Sequence, residues 1–309
     1  MGNTIHNWDM LERGYTMHHA ISQDKQGNIL ATVSKTSAKI ANGKDVRIND
    51  FIIMMDPEKG EILQEWDLVH MLDSARYGMT DYDLTSDPFA QSASNWAHNN
   101  GIVEWGDDYL ATARYQGIFK FNKAGGIEWI ISPHGYWRDK YLKLLLNPLH
   151  ADGTPITDPE VIAGTKNCDD FEWPWGCHTA VPLPNGHILY FNNGYGRNFK
   201  LDFTDRKNIY TCGIEYEVDE VNRTVRQVWQ YGKERGAAYF TPARSGVQYL
   251  EQTGNRLICP GMSNVLSNGN RGARVTEVDP ETQDVVFELE LEDAIYQRVY
   301  RMSLYPENQ

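Results

Sequence analysis

The chain has little of what several large protein classes require. It has only four cysteines, and none of them forms a C-x-x-C pair, so neither a disulfide-rich scaffold nor a standard zinc motif is indicated. No run of about 20 apolar residues occurs, so we expect no membrane-spanning helix. Acidic residues outnumber basic ones by 42 to 29, and the net charge of -13 argues against a nucleic acid as partner. The first ten residues also lack the basic and apolar regions of a signal peptide, and none is expected in this chain.

Sustained helical periodicity is also scarce. Short segments rich in Val, Ile, Tyr, Phe and Thr alternate with turns of Gly, Asn and Asp, which is typical of strands joined by tight connections. The 26 glycines, 17 tyrosines and nine tryptophans suit many turns and a large aromatic interior. We therefore predict an all-β fold. The 309 residues would fit two average domains, but repeat folds of this length commonly form one, so we expect a single domain over residues 1–309.

One hairpin pattern occurs three times, each time with a histidine at its start. In the third copy, His178 precedes an alternating apolar segment that turns at residues 184–186 and returns. His98 and His19 precede the other two hairpins. A lone histidine is more often a core or capping residue. Because a radial array of repeats directs equivalent positions toward one axis, the recurrence instead predicts that the three histidines share a site.

A second hairpin follows each of these. It has a strand, an Asp or Asn turn, and a strand that ends in a large apolar residue such as Trp66 or Trp129. Together the two hairpins predict a β-propeller of four-stranded blades. The blade units span about residues 16–66, 96–131, 176–231 and 244–291. The fourth begins with Ser245-Gly246 in place of histidine, and residues 296–305 offer a strand to a further blade.

Two long segments, residues 67–94 and 133–170, interrupt the repeat. Long loops in compact domains are commonly functional, so we expect these two to cover the mouth of the central channel. The second contains a possible short helix over residues 137–146. Cys168 and Cys177 are close enough in sequence to form a disulfide, and free thiols are an equal expectation.

The polar residues expected near the axis suit an anion better than a cation. The candidate set comprises His19 with His18 beside it, His98, Asn100, Arg114 on the return strand, and His178. Imidazoles, an amide and a guanidinium without clustered carboxylates match a tetrahedral oxyanion. Three histidines can also bind zinc or iron, but the adjacent arginine would repel a metal cation. If the reaction is covalent, a neutral imidazole is the best nucleophile available.

Six segments of the chain, taken together, resemble the bacterial arylsulfate sulfotransferase family, which moves a sulfuryl group directly between phenols. The segments are NWAHNN, ATARYQG, WIISPHGYW, WGCHTAVPLPNGHILYFNNG, VWQYGKERG and TGNRLICPG. The resemblance covers most of the chain. It implies a six-bladed propeller with a central active site, a ping-pong cycle through a sulfohistidine, and no cofactor. It further implies an aryl sulfate donor, a phenolic acceptor, and a periplasmic or secreted location.

The same resemblance assigns roles to the candidate residues. By position, His178 resembles the transiently sulfated histidine of the family. His98 and Asn100 resemble its supporting pair, Arg114 its sulfate-binding arginine, and His19 its remaining histidine. These assignments are implied by the resemblance and not by the hairpin pattern alone.

The chain also departs from the family pattern. It presents four recognisable blades where six are expected, it lacks an amino-terminal β-sandwich, and Cys168 and Cys177 match the family's short disulfide loop poorly. Two other functions stay open on the residues themselves: a non-catalytic propeller that binds a partner, and a metal-dependent lyase or hydrolase built on the histidines. Assembly into a homo-oligomer is a further alternative.

Overall fold

The computed structural model describes residues 3–42, 45–76, 96–200, 204–262 and 264–293. Within these ranges the chain forms four largely antiparallel sheets of four or five strands, with only short helices between them. The prediction of an all-β fold is confirmed. Residues 77–95, which include most of the first long segment, and residues 296–305 lie outside the described ranges.

The first two sheets are meanders, in which each strand pairs with the next along the chain. The first contains β1 (Thr16–Gln23), β2 (Ile29–Asn42), β3 (Asp45–Met55) and β4 (Ile62–Asp67). The second contains β5 (Asn99–Trp105), β6 (Asp108–Ala113), β7 (Gly117–Phe121) and β8 (Ile127–Ile131).

The last two sheets each add a short strand to this plan. The third contains β9 (Asn147–Leu149), β10 (His178–Pro182), β11 (Ile188–Asn192), β12 (Cys212–Asp219) and β13 (Thr224–Tyr231). Strand β9 pairs in parallel with β13. The fourth contains β14 (Gly246–Tyr249), β15 (Arg256–Cys259), β16 (Asn264–Val265), β17 (Arg271–Val278) and β18 (Val285–Glu292), with both β16 and β18 paired to β17.

The helices are short, with three to six residues each. They are α1 (Leu68–Met71), α2 (Asp139–Leu142), α3 (Pro159–Ala163) and 3-10 turns at Arg197–Phe199, Arg206–Asn208 and Lys233–Ala238. The helix predicted over residues 137–146 is therefore too long. Its second half leaves the helix because Ile130 of β8 bonds to the backbone of Leu144 and Leu146. In the part of the chain that the structure describes, no helix is long and apolar enough to cross a bilayer.

Neighbouring sheets pack face to face. Strand β11 is buried throughout and apolar up to its last residue, Asn192, because its two faces serve two interfaces. Ile188 and Tyr190 join the cluster shared with the second sheet, whereas Leu189 and Phe191 join the cluster shared with the fourth. The first strands of consecutive sheets, β1, β5, β10 and β14, are thereby brought side by side.

Tryptophans near the ends of outer strands connect one sheet to the next by hydrogen bonds. The indole N–H of Trp66 in β4 donates to the carbonyl oxygen of Lys123 in the second sheet, at 3.0 Å. The indole N–H of Trp129 in β8 donates to Glu220, beyond β12, at 2.8 Å. All four cysteines are free thiols, so the alternative of a disulfide between Cys168 and Cys177 is not realised.

Candidate active site

The first strands of three sheets are irregular where the histidines occur. The register shifts lie between Met17 and Ile21 in β1, Asn99 and Gly101 in β5, and His178 and Ala180 in β10. At these places His19, His98 and Thr179 have left-handed backbones, with φ of 57°, 53° and 45°. Such a conformation costs a non-glycine residue of order 1–3 kcal/mol and is concentrated at functional sites. A bulge there re-aims the neighbouring side chain.

Two of the predicted positions along the strands need correction. His178 begins β10 and His98 directly precedes β5, but His19 lies inside β1, because the residues before it already pair with β2. Arg114 lies just beyond β6 and not within it. There its backbone N–H donates to the carbonyl oxygen of His98 at 3.0 Å, which continues the hairpin past the last ladder pair.

The three imidazoles lie in one cluster. Nε2 of His98 is 3.1 Å from Nε2 of His19, and the ring centroids of His19 and His178 are 6.1 Å apart. His178 is buried, His98 is half-buried and His19 is exposed, so the cluster runs from the interior to the open surface. These distances allow one small anion to contact all three rings.

Arg114 and Asn100 border this cluster and are both buried. Nη2 of Arg114 donates to the carbonyl oxygen of Pro242 at 2.7 Å, and its guanidinium lies 4.6 Å from the ring centroid of Tyr195. These contacts fix the plane of the guanidinium. Asn100 donates from Nδ2 to the carbonyl oxygen of Cys177 at 2.8 Å. It therefore holds the peptide that leads directly into His178.

The hydrogen bonds of His178 define its tautomer. Nδ1 lies 2.6 Å from Oδ1 of Asn193 and 3.2 Å from the carbonyl oxygen of Gly176. A carbonyl oxygen can only accept, so Nδ1 carries the proton and Nε2 of the neutral ring has a free lone pair. The amide of Asn193 is itself oriented, because Nδ2 donates to the carbonyl oxygens of Thr241 and Arg244. Asn193 was not predicted from the sequence. Its only signal there is that two asparagines, Asn192 and Asn193, follow the apolar residues of a strand.

The electrostatics keep the rings neutral. Burial lowers the pKa of His178 well below 6.5, and Arg114 and His19 lower it further. Burial also lowers the pKa of His98 well below 6.5, again with help from His19 and Arg114. At the exposed end of the cluster, the pKa of His19 is lowered to about 4, first by desolvation of its ring among the surrounding groups. A buried neutral imidazole beside a guanidinium is suited to nucleophilic attack on an anion.

The fourth sheet contributes a cation where the others contribute histidines. Before β14, Arg244 and Ser245 have left-handed backbones with φ of 65° and 96°. Arg244 is exposed, and its charge contributes to lowering the pKa of His19. The sequence pattern pointed to Ser245 at this position, and missed the arginine beside it.

A separate donor set could hold a metal ion. Among the residues that the structure describes, His150, Cys168 and Asp170 each offer one ligand atom, and these atoms lie within 4.8 Å of one another. His150 and Cys168 both bond to Asp170, with His150 Nδ1 at 2.9 Å and Cys168 Sγ at 3.1 Å from Oδ1 of that carboxylate. This set lies in the segment over residues 133–170 and is distinct from the histidine cluster.

Comparison with known proteins points to one family. The sequence model of the arylsulfotransferases (ASST) matches residues 1–301. The chain is 29% identical over 325 residues to "Arylsulfate sulfotransferase AssT" of Escherichia coli O6:H1, an alignment that covers 95% of this chain and 54% of the relative. A protein of the same name from Lelliottia amnigena is also 29% identical, with the same coverage. The chain thus spans about half the length of these relatives.

Among solved structures, a europium-containing methanol dehydrogenase aligns with 90% of this chain and 49% of its own. The sequence identity is 10% and the TM-score 0.37. This similarity is too low to inform either fold or function.

Proposed function

The chain belongs to the arylsulfotransferase family, and from that premise we propose that it moves a sulfuryl group from an aryl sulfate to a phenol through a sulfohistidine at His178. The observation that carries the proposal is the pair of acceptors at Nδ1 of His178, Asn193 and Gly176, which leave Nε2 as a lone-pair donor. A covalent intermediate divides one difficult transfer into two easier ones.

In the first half-reaction, Nε2 of His178 attacks sulfur. The N–S bond forms as the ester S–O bond breaks, and the electron pair leaves on the phenolate. Arg114 offsets the charge of the sulfonate oxygens, and His98 and His19 line the same site as His178. Preorganised charge stabilisation of this kind supplies most of the acceleration in related phosphoryl transfers. Asn100 supports the attack by fixing the Cys177 peptide.

We also propose a propeller architecture, the substrate classes and a location for the protein. The four sheets are taken as blades of a propeller within a single domain over residues 1–309, with six blades in the complete family ring. The donor is an aryl sulfate, the acceptor is a phenol, and the location is periplasmic or secreted. A non-catalytic binding module is less well supported, because it has no need of three neutral imidazoles beside a buried arginine.

The test is intact-protein mass spectrometry after exposure to 4-nitrophenyl sulfate without acceptor. Wild type should gain the mass of one sulfuryl group, and addition of phenol should remove it. His178→Asn keeps similar bulk and a hydrogen-bonding group but should gain nothing. His187→Asn is the matched control, because His187 lies in the same hairpin but bonds to Glu215 at 2.6 Å, outside the cluster. Turnover by wild type without the added mass, or an equal gain in His178→Asn, would rule out His178 as the nucleophile.

A further inference from the structure

We propose that His18, Ser34 and Asp50 form a proton relay with His19 and His98, which protonates the leaving phenolate and later accepts the proton of the incoming phenol. The proposal rests on the sulfuryl transfer proposed above and gives His18 a role distinct from that of His19. Neither Ser34 nor Asp50 belonged to the candidate set predicted from the sequence.

The relay is a continuous series of short contacts. The hydroxyl of Ser34 donates to Oδ1 of Asp50 at 2.8 Å, and Nε2 of His18 lies 3.0 Å from the same hydroxyl oxygen. Nδ1 of His18 is 3.0 Å from Nδ1 of His19, and Nε2 of His19 is 3.1 Å from Nε2 of His98. Asp50 is buried, so the series connects a buried carboxylate with the histidine cluster.

When all three imidazoles are neutral, the contacts allow one direction only. Ser34 donates to Asp50, so its oxygen accepts from Nε2 of His18. Nδ1 of His18 is then unprotonated and accepts from Nδ1 of His19. Nε2 of His19 in turn accepts from Nε2 of His98. The other nitrogen of His98, Nδ1, carries no proton in this state and can accept one.

One added proton reverses the imidazole part of the relay. With both nitrogens of His18 protonated, Nδ1 of His18 donates to His19, and Nε2 of His19 donates to His98. Nδ1 of His98 then carries a proton that it can give away. The positive charge lies on His18, whose Nε2 is 3.6 Å from Oδ1 of Asp50. Coulomb attraction to this carboxylate stabilises the charge at that end of the relay.

His98 alone would be a poor store for the proton. Burial lowers its pKa well below 6.5, and His19 and Arg114 lower it further. The charged and titratable groups that act on His19 and His98 are His18, Asp50, Arg114, His178 and Arg244. Of these, only Asp50 favours a positive charge, and it lies next to His18. A relay therefore places the acid at the substrate while holding the charge beside Asp50.

The protons balance over the cycle. As the S–O bond of the donor breaks, Nδ1–H of His98 protonates the phenolate oxygen, and the shifts along the relay leave His18 neutral. In the second half-reaction, the acceptor phenol gives its proton to Nδ1 of His98 as its oxygen bonds to sulfur. The N–S bond then returns its electron pair to Nε2 of His178, and His18 regains its charge.

The first test compares two donors. The phenol of 4-nitrophenyl sulfate leaves as a stable anion, whereas phenyl sulfate releases a basic phenolate that needs a proton. Phenol release is measured in a single turnover without acceptor. General acid catalysis contributes on the order of 100-fold or more, so His18→Gln should slow phenyl sulfate by about that factor and 4-nitrophenyl sulfate little. Ser34→Ala should show a smaller loss of the same kind, because His18 and Asp50 remain neighbours.

The matched control is His70→Gln. His70 is an exposed histidine of α1 whose Nε2 also lies 3.6 Å from a carboxylate, that of Asp67. Its replacement should change neither rate. Equal losses with both donors in His18→Gln would overturn the relay, since that pattern is produced by structural damage. Wild type that releases phenol from neither donor would refute the proposed function instead.

The second test needs no turnover. Nitrogen-15 spectra of histidine-labelled protein, recorded over a series of pH values, report which nitrogens of each ring are protonated, and the resonances lost in His18→Gln and His98→Gln identify the two rings. We expect the proton of His98 to lie on Nε2 when His18 is neutral and to move to Nδ1 when His18 gains a second proton. A His98 ring whose proton stays on one nitrogen throughout would overturn the relay, whatever the activity.

Discussion

Replacement of Asn193 by leucine tests whether the hydrogen bond to His178 contributes to catalysis. Leucine branches at Cγ as asparagine does but has no polar atom, so nothing takes over the acceptor that lies 2.6 Å from Nδ1 of His178. The carbonyl oxygen of Gly176, at 3.2 Å, still accepts from Nδ1. The tautomer is therefore kept, and only the stronger of two bonds to the imidazole is lost.

The expected loss follows from the change in charge during attack. A neutral N–H···O bond contributes about 1 kcal/mol net, and the bond becomes roughly twice as strong once the imidazole gains positive charge in forming the N–S bond. The difference of about 1–1.5 kcal/mol corresponds to about tenfold in the rate of sulfation. Loss of the correct tautomer would cost about 10⁴-fold, as in serine proteases that lack the orienting aspartate.

The variant also removes the donor that Asn193 supplies to the buried carbonyl oxygen of Thr241 and to the partly buried carbonyl oxygen of Arg244. Each can cost about 1–3 kcal/mol of stability. Asn192→Leu is the matched control, since Asn192 makes comparable buried bonds to the backbone of Trp173 and Trp175 but none to His178. Both variants should unfold at lower temperature than wild type. Only Asn193→Leu should show slower formation of the sulfated protein under stopped-flow conditions.

Two results would refute this reasoning. If the two variants are equally slow, then the effect of Asn193 is structural. If Asn193→Leu is slower by about 10⁴-fold, then Gly176 does not hold the proton on Nδ1 and the tautomer depends on Asn193 alone.

Three further predictions concern charge. Arg114→Lys keeps the charge but loses the planar fork, so transfer should fall by about 100-fold with the fold intact; undiminished transfer would make Arg114 structural. Because the pKa of His178 is lowered, the sulfation rate should stay constant as the pH falls through 6.5 and decline only at lower pH. A rate that is already half lost at pH 6.5 or above would contradict this. Glu172→Gln removes the negative charge that lies 2.7 Å from buried Arg197, so the free energy of unfolding, measured by chemical denaturation, should fall by about 3–5 kcal/mol. A loss under 1 kcal/mol would mean that the ion pair is dispensable.

The strands were predictable because local patterns determine them. The apolar run that returns from the turn at residues 184–186 was predicted as a strand and forms β11 (Ile188–Asn192). The turn itself is formed by a backbone bond from Gly186 to Leu183. Alternation and turn chemistry are properties of neighbouring residues, so the sequence contains them directly. The end of α2 was missed because a distant strand, β8, captures the backbone that would continue the helix.

The site was predictable in composition but not in its bonds. The histidines could be found because they recur at equivalent points, whereas the bulge that places His19 inside β1 depends on pairing with β2. Asn193 bonds to carbonyl groups about 50 residues further along the chain, and Asp50 of β3 contacts Ser34 of β2 and His18 of β1. Contacts at this separation follow from sheet packing and leave no periodic signal.

In the proposed transfer, the cations that attract the anionic substrate also keep the nucleophile, His178, neutral. Arg114 lowers the pKa of His178, His98 and His19, and Arg244 adds to the effect on His19, so the site presents neutral rings in a positive field. A bound sulfate ester offsets that field, which makes a proton on His98 less costly at the moment when the leaving oxygen needs one. Substrate charge therefore couples binding to proton transfer. The coupling requires the arginines to lie beside the imidazoles and the carboxylate of Asp50 to contact the relay at Ser34 and His18, as it does in this chain.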